Sequence, residues 1–487
     1  NYAVVYKKQG KDPDEKKMTK PEITPIGSNR DVASPFLTSI QENAVKPIEP
    51  VFLDFKKDMS QLTAKSDIPV LYKQNTTNDL FQLIYVFDMG NNNDKALGTA
   101  FDYLEYLGTS DMTPEELKSE FYRLACTFYV SPGNERTYVV LSGLNENMPA
   151  AVQLFEKLLA DAQVNKEAYT NMTSDILKAR SDAKLNQGQN FSRLMSFAMY
   201  GPKSPATNLL TEAELTNMNP QELVDRIHNQ NSYKHRILYY GPSSSKDLLA
   251  TINQYHQVPA ALKDIPAGNE YAYLETPVTK VLVAPYDAKQ IYMAQISNLD
   301  KKYDPAIEPI RALYDEYFGG GMNSIVFQEM RETRGLAYSA WASIMPPSYL
   351  KYPYVLRTQI ATQNDKMIDA VTTFNDIINN MPESEAAFKL AKDGLTNRLR
   401  TERIIKGDII WSYINAQDLG QNVDPRIKLY NDIQNMSLKD IVDFQKQWVK
   451  GRTYVYCILG DKKDLELDKL KAVGPIEELT QEQIFGY

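Results

Sequence analysis

Apolar positions along the chain follow two rhythms. Short runs dense in β-branched and aromatic residues, PVLYKQ from Pro69 and LFQLIYVFDMG from Leu80, are bounded by polar turns and predict strands. Stretches with apolar residues at helical spacing follow, as in DKALGTAFDYLEYLG from Asp94 and MPAAVQLFEKLLADA from Met148. Between them Thr113, Pro114, Glu115 and Glu116 supply an N-cap, a proline at the first helical position and early acids. TYVVLSGL from Thr137 predicts another strand. The order then returns: KVLVAPY and QIYMAQISN as strands, PIRALYDEYFGGG as a helix ended by glycines, YPYVLRTQIAT as a strand and KMIDAVTTFNDIINNM as a helix. Hairpins mixed with helical crossovers predict an α+β fold, with helices packed on a largely antiparallel sheet.

The return is a duplication. LTNMNPQELVD from Leu215 parallels IQNMSLKDIVD from Ile433, about 218 positions on, and YLEYLG from Tyr103 parallels YDEYFG from Tyr314. HRILYYGPSSSK from His235 and TYVYCILGDKK from Thr453 are both strand-like runs closed by a Gly and a lysine-bearing polar stretch. A repeat of this size means two copies of one domain, predicted at 51–258 and 270–487 with a linker at 259–269. NYAVVYKKQGK at the start matches the same closing run. Residues 1–9 are therefore expected to be the last strand of an upstream domain outside this chain, and 10–50 a linker between halves of a larger molecule.

Composition narrows the class. Of 487 residues, 43% are hydrophobic and 24% charged, and no uncharged apolar run approaches the roughly 18 residues a membrane span needs. A net charge of −8 without a dense basic patch argues against a nucleic-acid partner. Cys126 and Cys457 stand far apart, which excludes a disulfide framework or a zinc knuckle. The first residues lack the charged start, apolar core and small-residue cleavage site of a signal peptide, so an export signal is expected only on an upstream part.

The segment FGGGMNSIVFQEMRETRGLAYSAWAS, Phe318 to Ser343, resembles the pitrilysin/insulinase family of zinc metallopeptidases, in particular the C-terminal, non-metal-binding half of a bacterial member. The resemblance rests on the glycine-rich helix end and on FQEMRETRGLAY, in which Arg331 and Tyr338 stand seven apart. It implies two homologous αβ sandwich domains that close with a zinc-bearing half around a chamber. In that other half a His-x-x-Glu-His helix holds zinc; this half contributes an Arg and a Tyr to the substrate. Periplasmic residence is an impression carried by the resemblance alone.

The frame of the zinc motif reads Asp102-Tyr103-Leu104-Glu105-Tyr106 in the first copy. Zinc wants imidazole or thiolate donors at fixed spacing, and Asp102, Glu105 and Tyr106 offer two carboxylates and a phenol. The acids where a further ligand would fall, Glu167, Asp175 and Asp182, have no histidine near them. No metal is expected on this chain, and the stretch reads as a degenerate zinc helix packed through its Tyr and Leu. Arg331 and Tyr338 are the expected substrate pair: the guanidinium would donate to a substrate carbonyl and the phenol to the oxyanion of a tetrahedral intermediate. Arg334 lies nearer the glycine, but the seven-residue interval selects Arg331.

Other features have blander readings. Gly319-Gly320-Gly321 lacks the spacing of a phosphate cradle and reads as a helix stop with close backbone packing. His228, His235 and His256 read as structural, and YGPSSSK from Tyr240 as a turn without a nucleophile elbow. NQGQNFSRLMSFAMYGPKSP, Asn186 to Pro205, is either chamber lining or a core helix followed by a Gly-Pro loop.

The expectation is a chain inactive by itself, the non-catalytic half of a zinc-dependent endopeptidase, positioning peptides for hydrolysis at a zinc on a separate or once-joined half. The alternative is a scaffold subunit of a peptidase-derived complex with no hydrolytic role.

Overall fold

The computed structural model describes residues 2–6, 10, 32–43 and 46–487. Much of the predicted linker at 10–50, and part of the predicted strand at 1–9, lie outside the described residues. Residues 2–6 take no strand pairing, and a helix, Pro35–Gln41, capped by Ser34, stands within 32–43.

Two six-stranded sheets carry the architecture. The first contains β1 (Ser60–Ala64), β2 (Ile68–Gln74), β3 (Leu80–Phe87), β4 (Cys126–Pro132), β5 (Thr137–Leu144) and β6 (Arg236–Gly241), in the order β1-β2-β6-β3-β5-β4. The second contains β7 (Lys280–Pro285), β8 (Gln290–Lys302), β9 (Ala337–Met345), β10 (Pro353–Gln363), β11 (Val455–Gly460) and β12 (Ile476–Glu478), in the order β12-β7-β11-β8-β10-β9. Five strands of each superpose in order and sense. The last long strand returns to lie parallel to the first, β6 on β2 and β11 on β7, and antiparallel to the second. The sixth strand differs: β1 precedes its neighbour and runs antiparallel to it, whereas β12 comes last and runs parallel to β7. The fold is α+β with mixed, mostly antiparallel sheets.

The central strands are buried on both faces, and the two-residue period of a strand sorts their side chains between two cores. In β3, Phe81, Leu83, Tyr85 and Phe87 face helices of the same half. Ile84 and Val86 face the opposite way, onto Ile409, Ile410 and Ile414 of the helix Asp408–Asp418 from the second half. The second sheet reciprocates. Tyr456 and Ile458 of β11 face their own helices, while Val455, Cys457 and Leu459 face Phe191, Leu194, Met195 and Ala198 of the helix Gln187–Tyr200 from the first half. Each half thus donates one helix to close the other's sheet. This decides between the two readings of Asn186–Pro205: its helix packs as core between the halves, because its apolar stripe at helical spacing matches the exposed back of the second sheet.

The halves are also tied by a strap, residues 257–279. Its backbone is pinned where Lys263 donates to Ser232 O (2.8 Å), Asn269 to Asn92 O (2.7 Å) and Leu274 to Met199 O (2.7 Å). At the far end, Tyr487 lies under the cations of Arg180 and Lys184, 5.1 and 5.3 Å from its ring centroid.

Candidate functional site

Ser324 opens a short helix, Ile325–Phe327, its hydroxyl accepting from the Phe327 amide (3.4 Å). The helix widens at once into a π-helical turn, Gln328–Thr333. Such turns are rare and re-aim side chains relative to a regular helix. Met330 is fully buried and anchors the turn, and Leu336 donates back to Met330 O (2.8 Å). The chain reverses at Gly335, whose φ of 57° favours glycine, and enters β9, the edge strand of the second sheet.

This route brings Arg331 and Tyr338 together. The Arg331 guanidinium carbon lies 4.9 Å from the centroid of the Tyr338 ring and 4.9 Å from that of Phe327. Its Nε sits 3.3 Å from Glu332 Oε1, and Tyr338 is 81% exposed. A cation sandwiched between two rings is held in place, and the Tyr338 phenol beside it is open to solvent. Arg334 is committed elsewhere, paired with the Glu329 carboxylate and donating to the Glu329 carbonyl (3.4 Å). The glycine run before this segment is a packing device: a Cβ on Gly319 would meet the backbone of Ala342 at 2.2 to 2.8 Å.

The Asp102 frame sits at the end of the helix Leu97–Leu104. Tyr103 and Leu104 are buried, and the Tyr103 hydroxyl donates to Asn165 O (2.6 Å) while accepting from the Asn165 amide (2.8 Å). Asp102, Glu105 and Tyr106 point outward. Desolvation and the neighbouring Glu105 hold the Asp102 carboxyl above its usual range, the condition of two acids with no cation between them. Among the described residues no third His, Cys, Asp or Glu converges on them. Two carboxylates and a phenol spread over an outward helix face do not fit a zinc site. In the second copy the aligned tyrosine, Tyr314, is likewise buried and bonded, to Gln445.

Two polar clusters escape sequence reasoning. Arg136, in the β4–β5 turn, donates from Nη1 and Nη2 to Asp418 (2.6 Å each) across the seam and from Nε to Asp88 (2.7 Å). Burial opposes its charge, but the hydrogen bonds to Asp418 and Asp88 outweigh it and raise its pKa above the ordinary value. The second cluster joins His235 and His256, which sequence separates by twenty-one residues, with Glu156. The available signal was Glu156 itself, an acid on the apolar stripe of the helix Met148–Asp161.

Comparison with known proteins follows this geometry. Residues 237–395 match the family model described as the Peptidase M16 inactive domain. A "non-peptidase homolog YmxG" of Helicobacter pylori is 22% identical over 422 residues, covering 82% of this chain and 93% of that protein. Among solved structures, a peptidase M16 inactive domain from Pseudomonas fluorescens superposes with a TM-score of 0.65 at 15% identity, covering 83% of this chain and 98% of that one. The periplasmic protease PqqL of Escherichia coli superposes with a TM-score of 0.66 at 13% identity, over 92% of this chain and 49% of its own. These likenesses carry the fold, and the family match spans the Arg331–Tyr338 turn. Over residues 237–395 the chain is similar to the inactive domain of the M16 peptidases, and in its duplicated sheets it shares their fold.

Proposed function

We propose that this chain is the non-catalytic half of a zinc-dependent endopeptidase, and that it encloses and positions peptides for a zinc held by another half. The observation that carries this reading is the exposed Arg331–Tyr338 pair. A guanidinium clamped between Phe327 and Tyr338, beside a free phenol, is a preorganised set of donors. Donors that need not reorganise as charge develops on a substrate carbonyl are the ones that lower a barrier. PqqL is about twice the length of the aligned region, which supports a partner half of comparable size.

Metal chemistry would come from the partner, since Asp102, Glu105 and Tyr106 do not fit zinc. The residues of this chain would bind and orient: Arg331 donating to a backbone carbonyl, Tyr338 to the developing oxyanion. The test is turnover of a quenched fluorescent peptide by the assembled complex. Arg331→Ala with Tyr338→Phe should lower it by about a hundredfold or more, the usual loss when oxyanion donors are removed. Unchanged turnover would sink the role.

A second reading is a scaffold subunit with no hydrolytic role. The designation of the H. pylori relative as a non-peptidase homolog favours it. A native partner lacking His-x-x-Glu-His would decide for the scaffold.

A further inference from the structure

Beneath the first sheet, three titratable side chains meet out of reach of solvent. Glu156 is 1% exposed, His256 0% and His235 7%. They belong to separate elements: Glu156 to the helix Met148–Asp161, His235 to the residue before β6, and His256 to the C-terminal cap of the helix Ser245–Tyr255. His256 is also the last residue before the strap. His256 Nδ1 is 2.6 Å from Glu156 Oε1, and His256 Nε2 is 2.8 Å from His235 Nε2.

Their protons can be counted from their partners. His235 Nδ1 is 2.8 Å from the carbonyl oxygen of Tyr233, which can only accept, so Nδ1 carries a proton. The Nε2 of that neutral ring is then an acceptor, so His256 Nε2 must donate to it. Glu156 Oε2 accepts from Asn231 Nδ2 (2.9 Å) and from the Gln257 amide (2.9 Å), the pattern of a carboxylate. The remaining proton lies on the short Glu156–His256 contact, held between the two groups, which are neutral together. The other groups facing the histidines are Tyr85, its ring centroid 4.4 Å from that of His256, and Phe87, 4.6 Å from that of His235. Burial and the Glu156 charge hold the Tyr85 phenol protonated.

We propose that Glu156, His256 and His235 form a proton-counting latch at the root of the strap between the two halves, closed while they share three protons and opened by a fourth. On His235 Nε2 a fourth proton would set two N–H groups facing each other across 2.8 Å around a buried positive charge. The folded protein resists it: burial, with His256 second, pushes His235 down to about 3. An opened His235 titrates near the ordinary value of about 6.5. Opening therefore takes up one proton, and its population rises about tenfold per pH unit below roughly 6.5. What opens is the helix cap at His256 and the Gln257 amide that begins the strap.

The experiment is amide hydrogen exchange on the full chain, from about pH 7.5 to pH 5, with intrinsic exchange divided out. In the wild type, protection across 248–263 should fall about tenfold per unit below roughly pH 6.5. His235→Gln keeps a donor for Tyr233 O and an acceptor for His256 but cannot take the proton, so its protection should stay flat below roughly pH 6.5. Flat wild-type protection, or the same slope in the variant, would overturn the latch. Should the variant not fold, nitrogen NMR of the wild-type histidines decides: a proton on His256 Nε2 and a neutral His235 with its proton on Nδ1 is expected. A His256 Nε2 without its proton, or a His235 titrating near 6.5 in the folded protein, rejects it.

Discussion

Arg136 and Asp418 face each other across the seam in a two-point ion pair, with both contacts at 2.6 Å and side chains only 12% and 16% exposed. They sit on different halves, 282 residues apart in sequence. Removing one partner strands the other. Arg136→Met should cost about 3 kcal/mol in urea unfolding. Arg136→Met with Asp418→Asn should recover part of that loss, and a double variant no better than the single would show that the pair is not coupled.

Leu194 is the fully buried residue of the helix that crosses from the first half to the second sheet. Leu194→Ala should destabilise by about 3 kcal/mol, the transfer term plus a cavity. The loss should appear in one cooperative transition that includes both halves. Two separate transitions in scanning calorimetry would contradict the exchange of helices.

The Asp102–Tyr106 stretch makes a paired prediction. Asp102→Asn should leave the zinc content of the assembled complex unchanged by elemental analysis, because the carboxylate has no co-ligands. Tyr103→Phe should cost about 1–2 kcal/mol, since the buried Tyr103 ring would lose the hydroxyl that donates to Asn165 O and accepts from the Asn165 amide.

The two cysteines should be silent. Burial pushes the Cys457 thiol up to about 12 and the Cys126 thiol above its usual value. The thiolate is the reactive form, so a disulfide reagent at neutral pH should label neither in the folded protein and both in guanidinium. Fast labelling of one in native buffer would mean that its sheet opens locally.

Arg331→Ala alone and Tyr338→Phe alone should each lower turnover by the proposed assembly nearly as much as the double change, because two donors serving one transition state act as a unit. Single losses that simply add up to the double would show that the two donors act independently.

Local sequence carried the elements well where chemistry is local. Thr113 accepts from the Glu116 amide in a full capping box, as its spacing predicts, and the β-branched and aromatic run LFQLIYVF does form a strand. The linker reading could not foresee the helix Pro35–Gln41, whose apolar residues Phe36, Leu37 and Ile40 are exposed and leave no buried stripe to read. The choice of Arg331 over Arg334 rested on spacing in a family pattern. The stacking that unites Arg331 with Tyr338 depends on a π-helical turn, which leaves no periodic signal.

What the sequence by itself determined is the duplicated α+β plan, because hydrophobic period and capping residues act over a few positions and the repeat copies them. It also determined that the Asp102–Tyr106 stretch holds no histidine or cysteine, because residue type is written in the sequence. Only the tertiary structure decided which helix covers which sheet, that Arg136 meets Asp418, and that His235, His256 and Glu156 meet in a buried cluster. Those relationships join residues tens to hundreds of positions apart, and the free energy that selects them is set by distance and burial in three dimensions, which linear spacing does not encode.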